Sequence, residues 1–200
     1  MKKTIAVDVD DVLVPHGDVL INHLNEMFGE EIAINGFYSL DELMISYGRT
    51  KEEIRNKIHD FLESEEFAAI EPIEESLEAI DQLKAHYDLK IVTARPAITH
   101  RMTEDWLKRH FPDTFTDVQF SNLDYQWGTL KKVSKHNTCQ AIGAEYLIDD
   151  SLKHIIEITE CGMKGILFGD YHWNQIDELP ENAVRAADWS EVLEILLPKE

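Results

Sequence analysis

Short apolar runs alternate along the chain with longer stretches in which apolar residues recur every three or four positions. The short runs are rich in β-branched residues and predict strands, whereas the periodic stretches predict amphipathic helices. The predicted strands are residues 4–9, 89–93, 118–121, 146–148, 165–168 and 183–186. Strands and helices that alternate in this way predict an α/β fold, in which a Rossmann-like parallel sheet carries helices on both faces.

Helix ends are marked by glycines and capping residues. In the part of the chain after residue 75, the predicted helices are residues 76–86, 98–110, 130–142 and 152–161. Gly143 and Gly162 follow the last two of them, where a left-handed residue commonly ends a helix. Asp188 and Glu191 fit a capping box that opens one more helix.

One connection is longer than the others, because far more residues separate the first two predicted strands than a single crossover helix needs. This stretch has a helical pattern, with Gly29 after an amphipathic segment and a capping box formed by Thr50 and Glu53. We therefore predict an α/β core from residues 1–14 and 74–200, and a small helical cap, residues 15–73, inserted after the first strand. Such a cap would lie over the carboxyl ends of the strands and exclude water from a ligand there. A helical decoration without a gating role is the alternative.

Three carboxylates, Asp8, Asp10 and Asp11, follow the first apolar run. Crowded carboxylates repel one another unless a cation or a shared proton neutralises them. Residues two apart on a strand point to the same side, so Asp8 and Asp10 can face one point. The pattern predicts a metal-dependent phosphoryl-transfer site, and a solvated strand end followed by an acidic turn is the alternative.

Charge and cysteine content narrow the classes of partner. With 19 basic and 39 acidic residues, the net charge is −20, which disfavours nucleic acid polymers and anionic membranes as partners but permits a small phosphorylated metabolite. No segment has the length and apolar character of a membrane span. Cys139 and Cys161 are too few for a disulfide framework, and we predict two buried free thiols and a cytoplasmic location.

Further polar residues come at or near the ends of later predicted strands. Thr93 ends one strand, and the acidic pair Asp149 and Asp150 follows another. Lys135 lies on the helix that precedes this pair. In phosphoryl transfer, one carboxylate can attack phosphorus and a second can carry protons. Oxygen ligands suit Mg²⁺, while a hydroxyl and a lysine balance charge on the phosphate oxygens.

In their order and spacing these segments resemble the four motifs of the haloacid dehalogenase (HAD) superfamily of phosphatases, and the resemblance covers essentially the whole chain. The matching segments are Asp8-Val9-Asp10, Ile91-Val92-Thr93, Lys135 and Leu147-Ile148-Asp149-Asp150. The resemblance implies that Asp8 is the nucleophile and Asp10 the general acid/base. It also implies that Mg²⁺ takes Asp8, the backbone carbonyl of Asp10 and Asp149, with Asp150 nearby through water, and that Thr93 and Lys135 hold the phosphate.

A narrower resemblance concerns the substrate. The dehalogenating members of the superfamily need neither a second Asp nor Mg²⁺, so Asp10 favours phosphate-ester hydrolysis. The short cap, Thr93-Ala94-Arg95-Pro96 and His172-Trp173-Asn174 are similar to the C-type 5′(3′)-deoxyribonucleotidase group. That similarity implies a nucleoside monophosphate as substrate. Asp11 departs from the glycine that many members carry, and its role stays open.

Several alternatives remain at this stage. Lys131 and Lys132 compete with Lys135, which the spacing favours, and Arg95 either reaches the phosphate or forms a surface ion pair. His16 and His172 have no assigned role. The function alternatives are a phosphatase for a sugar phosphate, a HAD-fold binding protein without turnover, and a receiver-like domain that accepts phosphate on Asp.

Overall fold

The structure, a computed structural model, describes residues 2–33, 39–122 and 134–198. Within these ranges, six parallel strands form one sheet in the order β3-β2-β1-β4-β5-β6. They are β1 (Thr4–Val7), β2 (Asp88–Thr93), β3 (Asp117–Phe120), β4 (Tyr146–Asp149), β5 (Lys164–Phe168) and β6 (Ala183–Ala186). The predicted parallel sheet is confirmed, and β1 lies between β2 and β4.

The described helices lie between these strands and after the last one. Four occur between β1 and β2 ahead of the helix that enters β2: α1 (His16–Phe28), α2 (Leu40–Tyr47), α3 (Lys51–Leu62) and α4 (Glu65–Ala68). The others are α5 (Glu74–His86), α6 (His100–His110), α7 (Lys135–Ala141), α8 (Leu152–Thr159) and α9 (Trp189–Leu196). Two short 3-10 helices, Ala97–Thr99 and His172–Asn174, follow β2 and β5.

Both faces of the sheet are covered, as the sequence predicts. Alternate residues of β1 enter different apolar clusters: Ile5 and Val7 join one, and Ala6 joins the other. The first cluster contains residues of α5, α6 and α9, and the second contains residues of α7 and α8. Because side chains of a strand alternate between faces, each cluster buries one face of the sheet.

The inserted helices have local signals for where they start and stop. The predicted capping box of Thr50 and Glu53 opens α3, and a second box opens α2. Gly29 ends α1 with φ 69°, a conformation that glycine adopts without steric cost. The backbone N–H of Ile73 donates to the carbonyl of Leu13 at 2.8 Å, so the two ends of the insertion are joined at the sheet.

Strand β1 ends at Val7, two residues earlier than predicted. The chain then turns, because the N–H groups of Leu13 and Val14 both donate to the carbonyl of Val9, at 2.8 and 3.1 Å. Strand alternation therefore does not apply to Asp8 and Asp10. This loop gives the two carboxylates different surroundings.

Two smaller predictions also change. Cys139 is a buried free thiol as predicted, but Cys161 is exposed, because α8 ends at Thr159 and the cysteine lies in the turn that follows. At α9, Asp188 caps Glu191 as expected, whereas the Glu191 carboxylate accepts from the N–H of Ala187. The predicted start of the helix before β4 lies outside the described residues.

Among the described helices, none has both the length and the apolar character needed to cross a membrane.

Candidate active site

The order of the strands brings the predicted site residues together at the carboxyl ends of neighbouring strands. Asp8 follows β1, Asp149 is the last residue of β4, and Thr93 is the last residue of β2. Because β1 lies between β2 and β4 and all three run in parallel, their carboxyl ends meet. All three side chains are buried.

Lys135 joins two of the carboxylates. Its Nζ lies 2.6 Å from Asp8 Oδ2 and 2.6 Å from Asp149 Oδ2. Ser134 caps α7, and this places Lys135 at the first residue of the helix. Burial works against the charge on the lysine, but Asp149 and Asp8 raise its pKa above the ordinary value. Burial likewise opposes ionisation of Asp149, yet Lys135 and His154 hold its pKa at about 2.

The cluster has features of a divalent-cation site. Oxygens of Asp8, Asp149 and Asp150 lie within 4.8 Å of one another, and Asp8 Oδ1 is buried with no hydrogen-bond partner in the part of the chain that the structure describes. Three carboxylates and the Lys135 ammonium leave two negative charges, which a divalent cation would balance. Burial and neighbouring carboxylates raise the pKa of Asp8 and of Asp150. A cation would favour their ionised forms, and the all-oxygen donor set suits Mg²⁺.

Asp10 faces a different partner. Its Oδ1 accepts from Arg95 Nη2 at 2.6 Å and Nε at 3.0 Å, and His16 Nδ1 lies 3.5 Å away. Burial opposes ionisation, but the Arg95 guanidinium, with a smaller contribution from His16, holds the pKa of Asp10 at about 2. In this arrangement Asp10 is an ionised carboxylate.

The inserted helices reach the site at Arg95. The guanidinium also donates to Thr103 Oγ1 at 3.0 Å and lies 4.8 Å from the ring centre of Phe67 on α4. The His16 ring, at the start of α1, is 5.9 Å from the same ring. Arg95 is 5 % exposed and its ion pair with Asp10 is partly buried, so the predicted surface ion pair is wrong. Whether Arg95 also meets phosphate stays a prediction.

Thr93 lies beside this group. Its hydroxyl accepts from the backbone N–H of Arg95 at 3.3 Å, so two of the predicted phosphate-binding residues, Thr93 and Arg95, are in contact. Lys131 and Lys132, the competitors of Lys135, lie outside the described residues.

Asp11 has a structural place that its sequence position did not reveal. Its φ is 56°, in the left-handed region, which glycine adopts freely and Asp tolerates. Its Oδ1 accepts from the N–H of Gly17 at 2.9 Å, and its carbonyl accepts from the Tyr171 hydroxyl at 2.8 Å. Asp11 thus joins the loop after β1 to α1 and to the segment after β5, and burial raises its pKa to about 7.

Two further side chains contact the acidic cluster, and the sequence did not assign them to it. His154 Nδ1 lies 3.2 Å from Asp149 Oδ1, and Trp173 Nε1 donates to Asp150 Oδ2 at 2.7 Å. A signal existed for His154, which lies in the first turn of the helix that follows the acidic pair. Trp173 belongs to the segment His172-Trp173-Asn174, which the narrower resemblance included without giving Trp173 a contact or a role. His172 is exposed, and its role stays open.

The fold is that of HAD-type phosphatases and hydrolases. A candidate phosphatase of Clostridium difficile gives a TM-score of 0.71 at 19% identity, over 98% of this chain and 99% of that one. A haloacid dehalogenase-like hydrolase of Streptococcus pneumoniae gives 0.69 at 15%, over 97% and 98%. A candidate HAD hydrolase of Bacillus subtilis, described with bound magnesium, gives 0.63 at 14%, over 98% of both chains.

Within this class the sequence identifies the family. Residues 2–199 match the sequence profile of the family described as 5′ nucleotidase, deoxy (pyrimidine), cytosolic type C protein, and the chain belongs to that family. Among curated proteins, none matches the chain significantly. The predicted HAD resemblance is confirmed, and the protein is a hydrolase of phosphate monoesters.

Proposed function

We propose that the protein is a Mg²⁺-dependent phosphomonoesterase that forms an aspartyl-phosphate on Asp8 and acts on nucleoside monophosphates. The observation that carries the proposal is that oxygens of Asp8, Asp149 and Asp150 lie close together, and that Asp8 Oδ1 is buried with no hydrogen-bond partner among the described residues. Burying an unpaired carboxylate oxygen is costly unless a ligand compensates it. Family membership supports the substrate class.

Carboxylate and carbonyl oxygens of the site would hold the metal. Asp8, Asp149 and the backbone carbonyl of Asp10 are the proposed direct ligands, and Asp150 would act through water. When bound, Mg²⁺ supplies positive charge to the phosphate oxygens and offsets the repulsion among the carboxylates.

Asp8 and Asp10 have different roles in the proposed reaction, the first as nucleophile and the second as general acid and base. An oxygen of Asp8 attacks phosphorus, the bond from phosphorus to the ester oxygen breaks, and Asp10 gives that oxygen a proton. In the second step Asp10 takes a proton from water, which attacks phosphorus and releases inorganic phosphate from Asp8. The ion pair with Arg95 favours the ionised form of Asp10 and so suits the second step.

The first step requires a protonated Asp10, and Arg95 supplies a physical route to it. A substrate phosphate is an alternative anion for a guanidinium. If Arg95 turns from Asp10 Oδ1 toward phosphate, the proton affinity of Asp10 rises because it loses its positive partner. This exchange reconciles the predicted phosphate-binding role of Arg95 with its observed contact. Lys135 and Thr93 complete the proposed phosphate site.

The inserted helices fit the proposal as a cap. Phe67 on α4 packs on Arg95, and His16 at the start of α1 lies near Asp10. We propose that residues 15–73 form this cap on a core of residues 1–14 and 74–200. A cytoplasmic location is part of the proposal, and the cytosolic designation of the family supports it.

The test is hydrolysis of a panel of phosphate monoesters with and without Mg²⁺. We expect phosphate release that requires Mg²⁺ and is fastest on nucleoside monophosphates, with deoxyribose and ribose forms compared directly. A fast sugar phosphate with uniformly slow nucleotides would favour the alternative of a sugar-phosphate phosphatase. Stoichiometric phosphorylation of the protein without continued phosphate release would favour a receiver-like function.

A further inference from the structure

Asp150 is a buried carboxylate among like charges. It is 7 % exposed and lies close to Asp8 and Asp149. Such a group needs hydrogen-bond donors to hold its orientation, since burial without partners is unfavourable. Its surroundings therefore decide which way its oxygens point.

Trp173 supplies a donor. Its Nε1 donates to Asp150 Oδ2 at 2.7 Å. The indole stacks on Tyr171, with ring centres 4.5 Å apart and planes within 4°. The Tyr171 hydroxyl in turn donates to the carbonyl of Asp11. The plane of the indole is thus fixed from the loop that carries Asp8 and Asp10.

Asn174 fixes the same segment from the other side. Its Nδ2 donates to the carbonyl of Phe168 at 2.9 Å and to that of Asp150 at 3.2 Å. Arg185 on β6 donates to Asn174 Oδ1 at 2.9 Å and to its carbonyl at 2.6 Å. Both the backbone and the carboxylate of Asp150 are therefore held by the short helix after β5, which is itself tied to β6.

We propose that Trp173 is a positioning residue for the divalent cation, because its indole N–H holds Asp150 Oδ2 and so orients that carboxylate toward the cluster of Asp8 and Asp149. The inference rests on the metal site of the proposed function. An indole N–H is a donor only and does not bind a cation, so Trp173 acts through Asp150. Loss of a hydrogen-bond partner of a metal ligand typically lowers metal affinity by about 10- to 100-fold. Because Asp150 acts through water in the proposed site, we expect the lower end of that range.

The test is Mg²⁺ binding measured by calorimetry without substrate. Trp173→Phe keeps an aromatic ring to stack on Tyr171 and removes the N–H, and we expect its Kd for Mg²⁺ to rise about tenfold. Trp106→Phe is the matched control. It also removes a buried indole N–H, which donates to the carbonyl of Ile70 at 2.6 Å. This acceptor is not part of the acidic cluster, so the Kd of the variant should stay at the wild-type value.

A second measurement uses the wild-type protein alone. In ¹⁵N-labelled protein, the indole N–H resonance of Trp173 should shift on addition of Mg²⁺, and those of Trp106 and Trp189 should shift much less. Wild-type affinity in Trp173→Phe, or a Trp173 resonance unchanged at saturating Mg²⁺, would overturn the inference and leave the proposed metal site intact. A wild-type protein that binds no Mg²⁺ would overturn the proposed metal site and this inference together.

Discussion

At the scale of single residues, Asp11 is a half-buried carboxyl group whose ionisation folding does not favour. Burial raises its pKa from an ordinary 3.8 to about 7, while the Gly17 N–H partly opposes the shift. The folded protein therefore binds this proton more tightly than the unfolded chain does. The stability that Asp11 contributes is present below about pH 4 and is lost as the pH rises through 7.

Asp11→Asn should remove the loss of folding stability that ionisation of Asp11 causes as the pH rises. Asn tolerates the left-handed backbone, and its side-chain oxygen can still accept from Gly17. In metal-free protein, we expect the free energy of unfolding to rise by about 2 kcal/mol at pH 8 and by clearly less at pH 5. Urea denaturation with a chelator measures both values. Asp113→Asn, which removes an exposed charge from a second aspartate with left-handed backbone (φ 52°), should not stabilise the protein, and a gain for Asp11→Asn that is independent of pH would contradict the account.

At the scale of elements, the loop after β2 and the helix α4 meet at Arg95. Arg95→Met should lower kcat/KM by about 10- to 100-fold, because Asp10 loses the partner that holds it in place. Without the guanidinium, burial dominates and the pKa of Asp10 rises from about 2. At saturating Mg²⁺, the acid limb of the pH–kcat profile should therefore move to higher pH.

The control for Arg95 is an exposed arginine of α6. Arg101 is 93 % exposed at its side chain and lies 3.8 Å from a carboxylate oxygen of Asp105, so Arg101→Met should leave the profile unchanged. If the acid limb of the pH–kcat profile of Arg95→Met lies at the same pH as that of the wild-type protein, the ion pair does not control ionisation of Asp10.

The elements could be predicted from the sequence because most depend on local patterns. Buried apolar runs predict parallel strands, and Thr50 with Glu53 predicts the start of α3. The end of β1 could not be predicted, because backbone hydrogen bonds to Val9 decide it. The contact of Arg95 with Asp10 was missed for another reason. It joins positions 85 residues apart, and local pattern carries no information on which of several carboxylates a long side chain will meet.

At the scale of the whole molecule, sheet order explains why the site forms. The acidic loop after β1 lies between the ends of β2 and β4, so charges distant in sequence converge. Motif order predicted which residues are candidates, since parallel strands end at a common edge. It could not predict the contacts that orient them, such as those of His154 and Trp173, because these depend on the path of loops and short helices after the strands.

The central claim is that Asp8 is the nucleophile of a Mg²⁺-dependent phosphatase. The most direct test is the rate of phosphate release by Asp8→Asn at saturating Mg²⁺, on the best substrate of the wild-type protein. We expect a loss of at least about a thousandfold with an unchanged circular dichroism spectrum, while Asp105→Asn, an exposed carboxylate on α6, keeps wild-type activity. Normal turnover by a folded Asp8→Asn protein would contradict the claim.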